Sequence, residues 1–237
     1  MIAVSLLSIC QGALREIGEF EVPASIVGNA NLTAVQMLAL AQREGRELSR
    51  RFNWQALVKE HTFTTTASTA SYALPTDFRF IIGATWWDRT NYWRLFGPAS
   101  AQQWQELKSG IIADGIRRWF RIRADLFLIH PTPTVTGDTI AYDYMSNSWC
   151  ETAAGAALSS WAADTNVGVL DEELMQMGLV WRFLKAKGLA YGEELGSYER
   201  EVDKAMGRDG GAPMLNMGGT KMEPNLAVNI PESGFGS

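Results

Sequence analysis

The hydrophobic period of the sequence changes twice, and this limits the folds that are open to the chain. Near both ends, apolar residues recur every three or four positions, which is the spacing of one face of an α-helix. Over residues 59–150 they tend to alternate with polar residues, and β-branched and aromatic residues are frequent, as in half-buried strands. This order predicts an α+β protein in which strands are inserted between two groups of helices.

Two helices are predicted before the strands. The first should end at Gly18 and Pro23, and Asn31 suits the N-cap of the second, which should end near Trp54. The charged residues from Arg43 to Arg51, Glu44 among them, fall largely outside its apolar face. The apolar face of the first helix is Ile2, Leu6, Ile9, Ala13 and Ile17, and that of the second is Leu38, Ala41, Gly45, Leu48 and Phe52.

Two further helices are predicted near the C-terminus. The acidic run 171–173 is typical of a helix start, because carboxylates there accept hydrogen bonds from free amides and oppose the helix dipole. Gly188 and Gly192 should separate the two helices. We expect the four helices, two from each end of the chain, to pack as a bundle. The apolar faces are Leu174, Met177, Trp181, Leu184 and Gly188, then Leu195, Tyr198, Val202 and Met206.

The middle of the chain predicts about seven short antiparallel strands, which favours a small sandwich or a barrel. Turns are expected at Thr90-Asn91 and Ala124-Asp125, and a short helix at 100–109 should direct Trp104 inward. The strand segments are 62–66, 72–74, 81–88, 92–96, 117–123, 126–129 and 138–145.

The C-terminal segment has no helical or strand period, yet it is too apolar for a solvated linker. Its apolar residues are scattered between glycines and prolines, and we predict that they bind a partner chain, as in a component of an assembly. The expected divisions are therefore N-terminal helices at 1–58, a β insertion at 59–150, C-terminal helices at 151–208 and an extended binding segment at 209–237. The predicted binding residues are Met214, Leu215, Met217, Met222, Leu226, Val228, Ile230 and Phe235.

The sequence offers little support for catalysis, a cofactor or a metal. It has two histidines, His61 and His130, and each is expected to be structural. No nucleophile elbow, phosphate-binding loop or zinc-ligand spacing occurs. Cys10 and Cys150 are far apart in sequence and are expected to be reduced thiols in the core. No apolar run is long enough to span a membrane.

One basic and aromatic cluster remains. On a strand, Arg117, Trp119, Arg121 and Arg123 share a face. Stacking together with guanidinium groups could bind single-stranded nucleic acid. The same face could contact acidic residues of a neighbouring subunit, which we favour, or form a wall of a DNA channel. The net charge of −5 argues against a protein whose whole surface binds nucleic acid.

In their order along the chain, three stretches resemble the head-to-tail adaptors of short-tailed phages, of the tail tubular protein A type. The chain is also compatible with the related adaptors of long-tailed phages. The resemblance covers the layout of helices, β insertion, helices and extended C-terminal segment. The stretches are Tyr72-Ala-Leu-Pro-Thr-Asp-Phe78, then His130-Pro-Thr-Pro with Gly137-Asp138 and the strand ending near Tyr144, and then residues 174–189 running into Tyr198-Glu-Arg-Glu.

The resemblance implies a structural protein of the virion, made in the host cytoplasm, without catalytic turnover or membrane contact. Such adaptors form a ring, of twelve subunits, beneath the portal protein. Their C-terminal segments bind the portal, a downstream nozzle or tube protein of the tail binds below, and DNA passes through the channel without sequence-specific contacts. The alternatives from other classes are a tail-associated peptidoglycan hydrolase that uses Asp and Glu residues, and a carbohydrate-binding β module.

Overall fold

The computed structural model describes residues 4–19, 21–110 and 118–210. These residues form helices and short antiparallel strands, in an α+β arrangement. The helices are α1 (Leu6–Ile17), α2 (Leu32–Arg51), α3 (Ala101–Ser109), α4 (Glu172–Ala186) and α5 (Gly192–Asp209), with a 3-10 turn at Gln55–Leu57. The strands are β1 (Val58–Thr64), β2 (Ser71–Ala73), β3 (Phe78–Ile81), β4 (Trp87–Asp88), β5 (Trp93–Arg94), β6 (Trp119–Arg123), β7 (Leu126–His130), β8 (Thr139–Ser146), β9 (Cys150–Glu151), β10 (Ala157–Leu158) and β11 (Val167–Gly168).

The ends of the N-terminal helices follow from local side-chain and backbone chemistry. Ser5 caps α1 by accepting a hydrogen bond from the amide of Ser8, and Gly18 ends it in the left-handed region at a φ of 86°. The side chain of Asn31 caps α2 by accepting from the amide of Thr33. The predicted N-cap and the predicted stop at Gly18 are therefore confirmed.

Helix α4 lies at the centre of the helical part of the protein and contacts α1, α2 and α5. Its buried residues surround the helix, so the single apolar face predicted from 174 to 188 is too narrow. A helix that packs against three others has little surface left for solvent. The buried residues are Leu174, Met175, Gly178, Leu179, Val180, Trp181, Arg182 and Phe183.

The strands form two larger sheets that pack against each other through an aromatic core. One sheet has the order β1-β8-β4-β5, with β3 also paired to β8, and the other has the order β2-β7-β6. Phe127 of β7 stacks on Tyr142 of β8 with ring centroids 5.3 Å apart, and Phe63 of β1 meets Phe127 edge-on at 5.4 Å. The described residues contain no closed barrel, so the sandwich alternative fits them better.

Strand β8 belongs to both hydrophobic cores. Ile140, Tyr142 and Tyr144 face the aromatic core between the sheets, whereas Met145 packs with the helices. A third, small sheet of order β10-β9-β11 follows β8. In that sheet Cys150 joins the helical core, and both it and Cys10 are buried free thiols, as expected.

The structure differs from the strand predictions in two places. The segment 81–88 is divided into β3 and β4, because the chain turns between them and Ala84 takes a φ of 68°. The small sheet of β9, β10 and β11 was not predicted, since strands of two residues are too short to show a period of alternation.

Candidate interaction surfaces

The arginine-bearing strand β6 forms a tight hairpin with β7. Ala124 and Asp125 make the two-residue turn with φ values of 51° and 58°, which is the geometry that matches the twist of a hairpin. The register pairs Trp119 with His130 and Arg123 with Leu126. The turn and the hairpin predicted from the sequence are both confirmed.

The two faces of β6 differ in which side chains pack into the aromatic core. Phe120 is fully buried and Ile122 packs against the aromatic core. Trp119, Arg121 and Arg123 therefore lie on the opposite, outer face, as alternation predicts. Leu128 and Leu126 of β7 are paired with the two arginines on that face, and Leu126 is 38% exposed.

The end of this face at Trp119 is covered by other parts of the protein. The ring of Phe96 lies 5.0 Å from that of Trp119, and the backbone of Phe96 bonds to Arg118 and Phe120. Helix α3 inserts the buried Trp104, whose ring lies 6.0 Å from that of His130. Trp119 and Arg121 are thus half-buried, and the outer face is most accessible at Arg123.

The arginines of this region have two kinds of surroundings. Arg118 forms ion pairs with Asp138 and with the buried Asp88, the latter at 3.6 Å. Within the described residues, no carboxylate pairs with Arg121 or Arg123, and Arg123 is exposed. Guanidinium groups that have no carboxylate partner in their own chain are suited to bind carboxylates or phosphates of another molecule. Arg117 lies outside the described residues.

The predicted C-terminal binding residues, 214 to 235, also lie outside the described residues. The structure does define the C-terminal end of α5, which precedes them in the chain. Helix α5 continues to Asp209, beyond the end near Met206 that the sequence predicts. The Oδ2 atom of Asp209 accepts a hydrogen bond of 2.7 Å from the amide of Gln55. Asp209 is therefore part of the folded body.

A groove of about 270 Å³ lies at this end of α5. Arg208 and Asp209 form part of its wall, together with Asp171, whose side chain caps α4 by accepting from the amide of Glu173. The rest of the lining is apolar. It consists of Leu48, Trp54, Ala56, Val169, Leu170, Leu174 and Ala205.

Asp77 joins several elements, a role that the sequence analysis did not assign. Its Oδ2 atom accepts from Lys59 Nζ at 2.8 Å and from Ser146 Oγ at 2.7 Å, and Oδ1 accepts from the hydroxyl of Tyr144 at 2.8 Å. Partial burial by itself would raise the pKa of Asp77, but these hydrogen bonds outweigh it and lower the pKa to about 2. The available signal was the position of Asp77 in the stretch 72–78.

A buried charged cluster between α2, α4 and α5 was also missed. Arg182 Nε donates to Glu44 Oε2 at 2.5 Å, and the hydroxyl of Tyr198 donates to Glu44 Oε1 at 2.5 Å. Glu44 is 1% exposed, which corrects its predicted place outside the apolar face of α2. Burial raises the pKa of Glu44, while Arg182 and Tyr198 act against that change. Gly178 allows the approach, since a Cβ atom there would lie 2.3 Å from Glu44 Cδ.

His61, His130 and the acidic run 171–173 lie on different elements of the fold. His61 lies on β1, with its ring 5.4 Å from that of Tyr142, and His130 lies on β7 in the other sheet. Asp171 serves as a helix cap. No group of three or more His, Cys, Asp or Glu side chains that could hold a metal ion occurs within residues 4–19, 21–110 and 118–210.

Comparison with known proteins identifies the family of the chain. The family model described as SU10 adaptor protein matches residues 5–220. A search of curated proteins found no match. Because the match covers most of the chain, the protein belongs to the SU10 adaptor protein family, which confirms the resemblance to phage head–tail adaptors.

Membership in this family makes the protein a structural component of a phage virion. The family suggests a role without catalysis. Among the helices of the described residues, none combines the length and the apolar character that a bilayer crossing requires.

Proposed function

We propose that the protein forms a ring beneath the portal, the twelve-subunit ring of the adaptors it resembles, and joins the portal to the downstream nozzle or tube protein of the tail. The observation that carries this proposal is the family match over residues 5–220. DNA passes through the channel of the ring without sequence-specific contacts. In this proposal the four helices α1, α2, α4 and α5 act as one bundle from which the β sandwich, residues 59–150, projects.

The C-terminal segment is the proposed portal-binding element. Its apolar residues from Met214 to Phe235 lack a period of their own, and ordering such a segment costs entropy that contacts with a partner must exceed. Asp209 holds the base of the segment against Gln55, so the segment leaves the body at a fixed place.

A truncation tests this role. Because Asp209 bonds to the folded body, the truncation should remove residues 211–237 and leave α5 intact. We expect the body to remain folded and portal binding to be lost, as measured by co-sedimentation with purified portal. A finer comparison replaces Leu226, Val228 and Ile230 with serine and uses Asn225→Ser with Asn229→Ser as the matched control. Normal portal binding by the truncated protein would refute the role.

The outer face of β6 is the proposed contact between subunits. Arg121 and Arg123, with Arg117, would face acidic residues of the neighbouring subunit. The observation in favour is that the two described arginines have no carboxylate partner within the described residues, whereas Arg118 has two. A position on the wall of the DNA channel is the alternative for the same face.

Charge reversal separates these two positions. Arg117→Glu, Arg121→Glu and Arg123→Glu in one chain should leave the monomer folded and prevent ring formation on the portal, as measured by native mass and electron microscopy. Arg200→Glu, at an exposed site on α5, is the control. Intact rings with defective genome retention or ejection would indicate the channel wall. Intact rings and normal ejection would refute both.

A further inference from the structure

The groove at the end of α5 is a candidate binding site within the adaptor itself. Trp54, Leu48 and Leu174 are buried beneath it, while Ala56 and Arg208 lie exposed at its edge, so it opens at the surface. Its volume is about 270 Å³. A cavity of about 150 Å³ lined by apolar side chains is large enough to take up benzene. The groove can therefore accommodate aliphatic side chains.

The chain leaves the folded body directly at this groove. Arg208 and Asp209, which line it, are the last two residues of α5. The hydrogen bond from the amide of Gln55 to Asp209 fixes that position. Whatever follows Gly210 therefore starts at the edge of the groove.

The residues that follow have suitable chemistry and length. Gly210 and Gly211 impose few restrictions on the backbone, so the chain can reverse direction there. Met214 and Leu215 are the first large apolar residues, and four extended residues reach about 14 Å. A methionine side chain adapts to irregular apolar surfaces and its sulfur makes favourable contacts with aromatic rings such as that of Trp54.

We propose that Met214 and Leu215 occupy the groove of their own chain. A link of only a few residues gives them a local concentration in the millimolar range, far above that of any other copy in a dilute solution. The first part of the C-terminal segment is then held on the adaptor body, and residues 226–235 remain for the portal. The division between the two parts rests on the proposed function, whereas occupation of the groove does not require the portal.

Hydrogen exchange of the isolated full-length protein tests the proposal. Peptides covering 212–218 should exchange about tenfold more slowly than those covering 222–235, because an occupied groove orders only the first part. Ala56→Arg, at the exposed edge of the groove, should remove this difference, whereas Ala190→Arg, an exposed alanine between α4 and α5, should not. Met214→Glu with Leu215→Glu should also remove it, whereas Val228→Glu with Ile230→Glu should leave it unchanged.

Equal exchange of the two parts in the unaltered protein would overturn the proposal. Slow exchange that increases with protein concentration would also overturn it, since the groove would then hold the segment of a second copy. Slow exchange at 212–218 in a protein that fails to bind the portal would support the groove assignment and count against the proposed function alone.

Discussion

Replacement of Asp77 by asparagine should reveal how strongly this carboxylate stabilises the adaptor. Its pKa falls from an ordinary value of 3.8 to about 2 in the folded protein, because Lys59, Ser146 and Tyr144 donate hydrogen bonds to the charged form. Each pKa unit corresponds to about 1.4 kcal/mol, so the charged carboxylate contributes about 2 kcal/mol to the free energy of unfolding at neutral pH. The Asp77→Asn variant lacks the charge and should lose most of this amount.

The pH dependence makes the test specific. Because the folded-state pKa of Asp77 lies below the unfolded-state value, its contribution is complete above about pH 4 and is lost as the pH falls towards 2. Urea unfolding should therefore show a difference of about 2 kcal/mol between Asp77→Asn and the unaltered protein at pH 7, and about half of that near pH 3. Asp203→Asn, at an exposed site on α5, is the control. A difference at pH 7 that persists unchanged at pH 3 would refute the electrostatic explanation.

Three further substitutions or treatments test the helical core. Trp181 is 9% exposed between α4 and α5, so Trp181→Ala should lower the free energy of unfolding by about 3–5 kcal/mol in urea, and Trp87→Ala, 45% exposed, by far less. Gly45→Ala should destabilise the protein by about 1–3 kcal/mol in thermal melting, since its Cβ would lie 2.2 Å from Trp149 Cζ3. Gly196→Ala should instead stabilise α5, since its Cβ would meet only Arg200 Nη1, at an ordinary contact distance of 3.6 Å. Burial raises the pKa of Cys10 and of Cys150 to about 12, so neither thiol should react with a maleimide at pH 8 before unfolding, as followed by mass spectrometry.

The sequence predicts those parts of the fold that local chemistry determines. The cap at Asn31, the stop at Gly18 and the turn at Ala124-Asp125 each depend on neighbouring residues alone, and each is confirmed. The outer face of β6 also follows from alternation, because Phe120 and Ile122 anchor the inner face in the aromatic core. The sequence does not predict which molecule faces Arg121 and Arg123, since the alternation of a strand contains no information about a binding partner.

Burial of charged residues is the main feature that the sequence could not predict. The charge of Glu44 predicts exposure, yet its position three residues after Ala41 and four before Leu48 places it beside the apolar face of α2, and it lies at 1% exposure next to Arg182. Its partners, Arg182 and Tyr198, are distant in sequence and meet it only because α4 packs between α2 and α5. By its helix propensity alone, Gly178 predicts a weak point in α4, but its missing side chain is what admits the Glu44 carboxylate.

In the proposed ring, the contribution of Arg121 and Arg123 would depend on symmetry, whereas that of Arg118 does not. Arg118 is enclosed with Asp88 and Asp138 and contributes to the fold of each monomer. Arg123 is exposed and Arg121 is half-buried on the outer face of β6, and an ion pair at the protein surface contributes only about 0–1 kcal/mol. Two pairs at about 0.5 kcal/mol each would barely hold two subunits together, but a closed ring repeats the same contact at every interface, so the total grows with the number of subunits. In the proposed ring, a weak, reversible contact of this kind would let a misplaced subunit leave during assembly, while the completed ring would be held by all of its contacts at once.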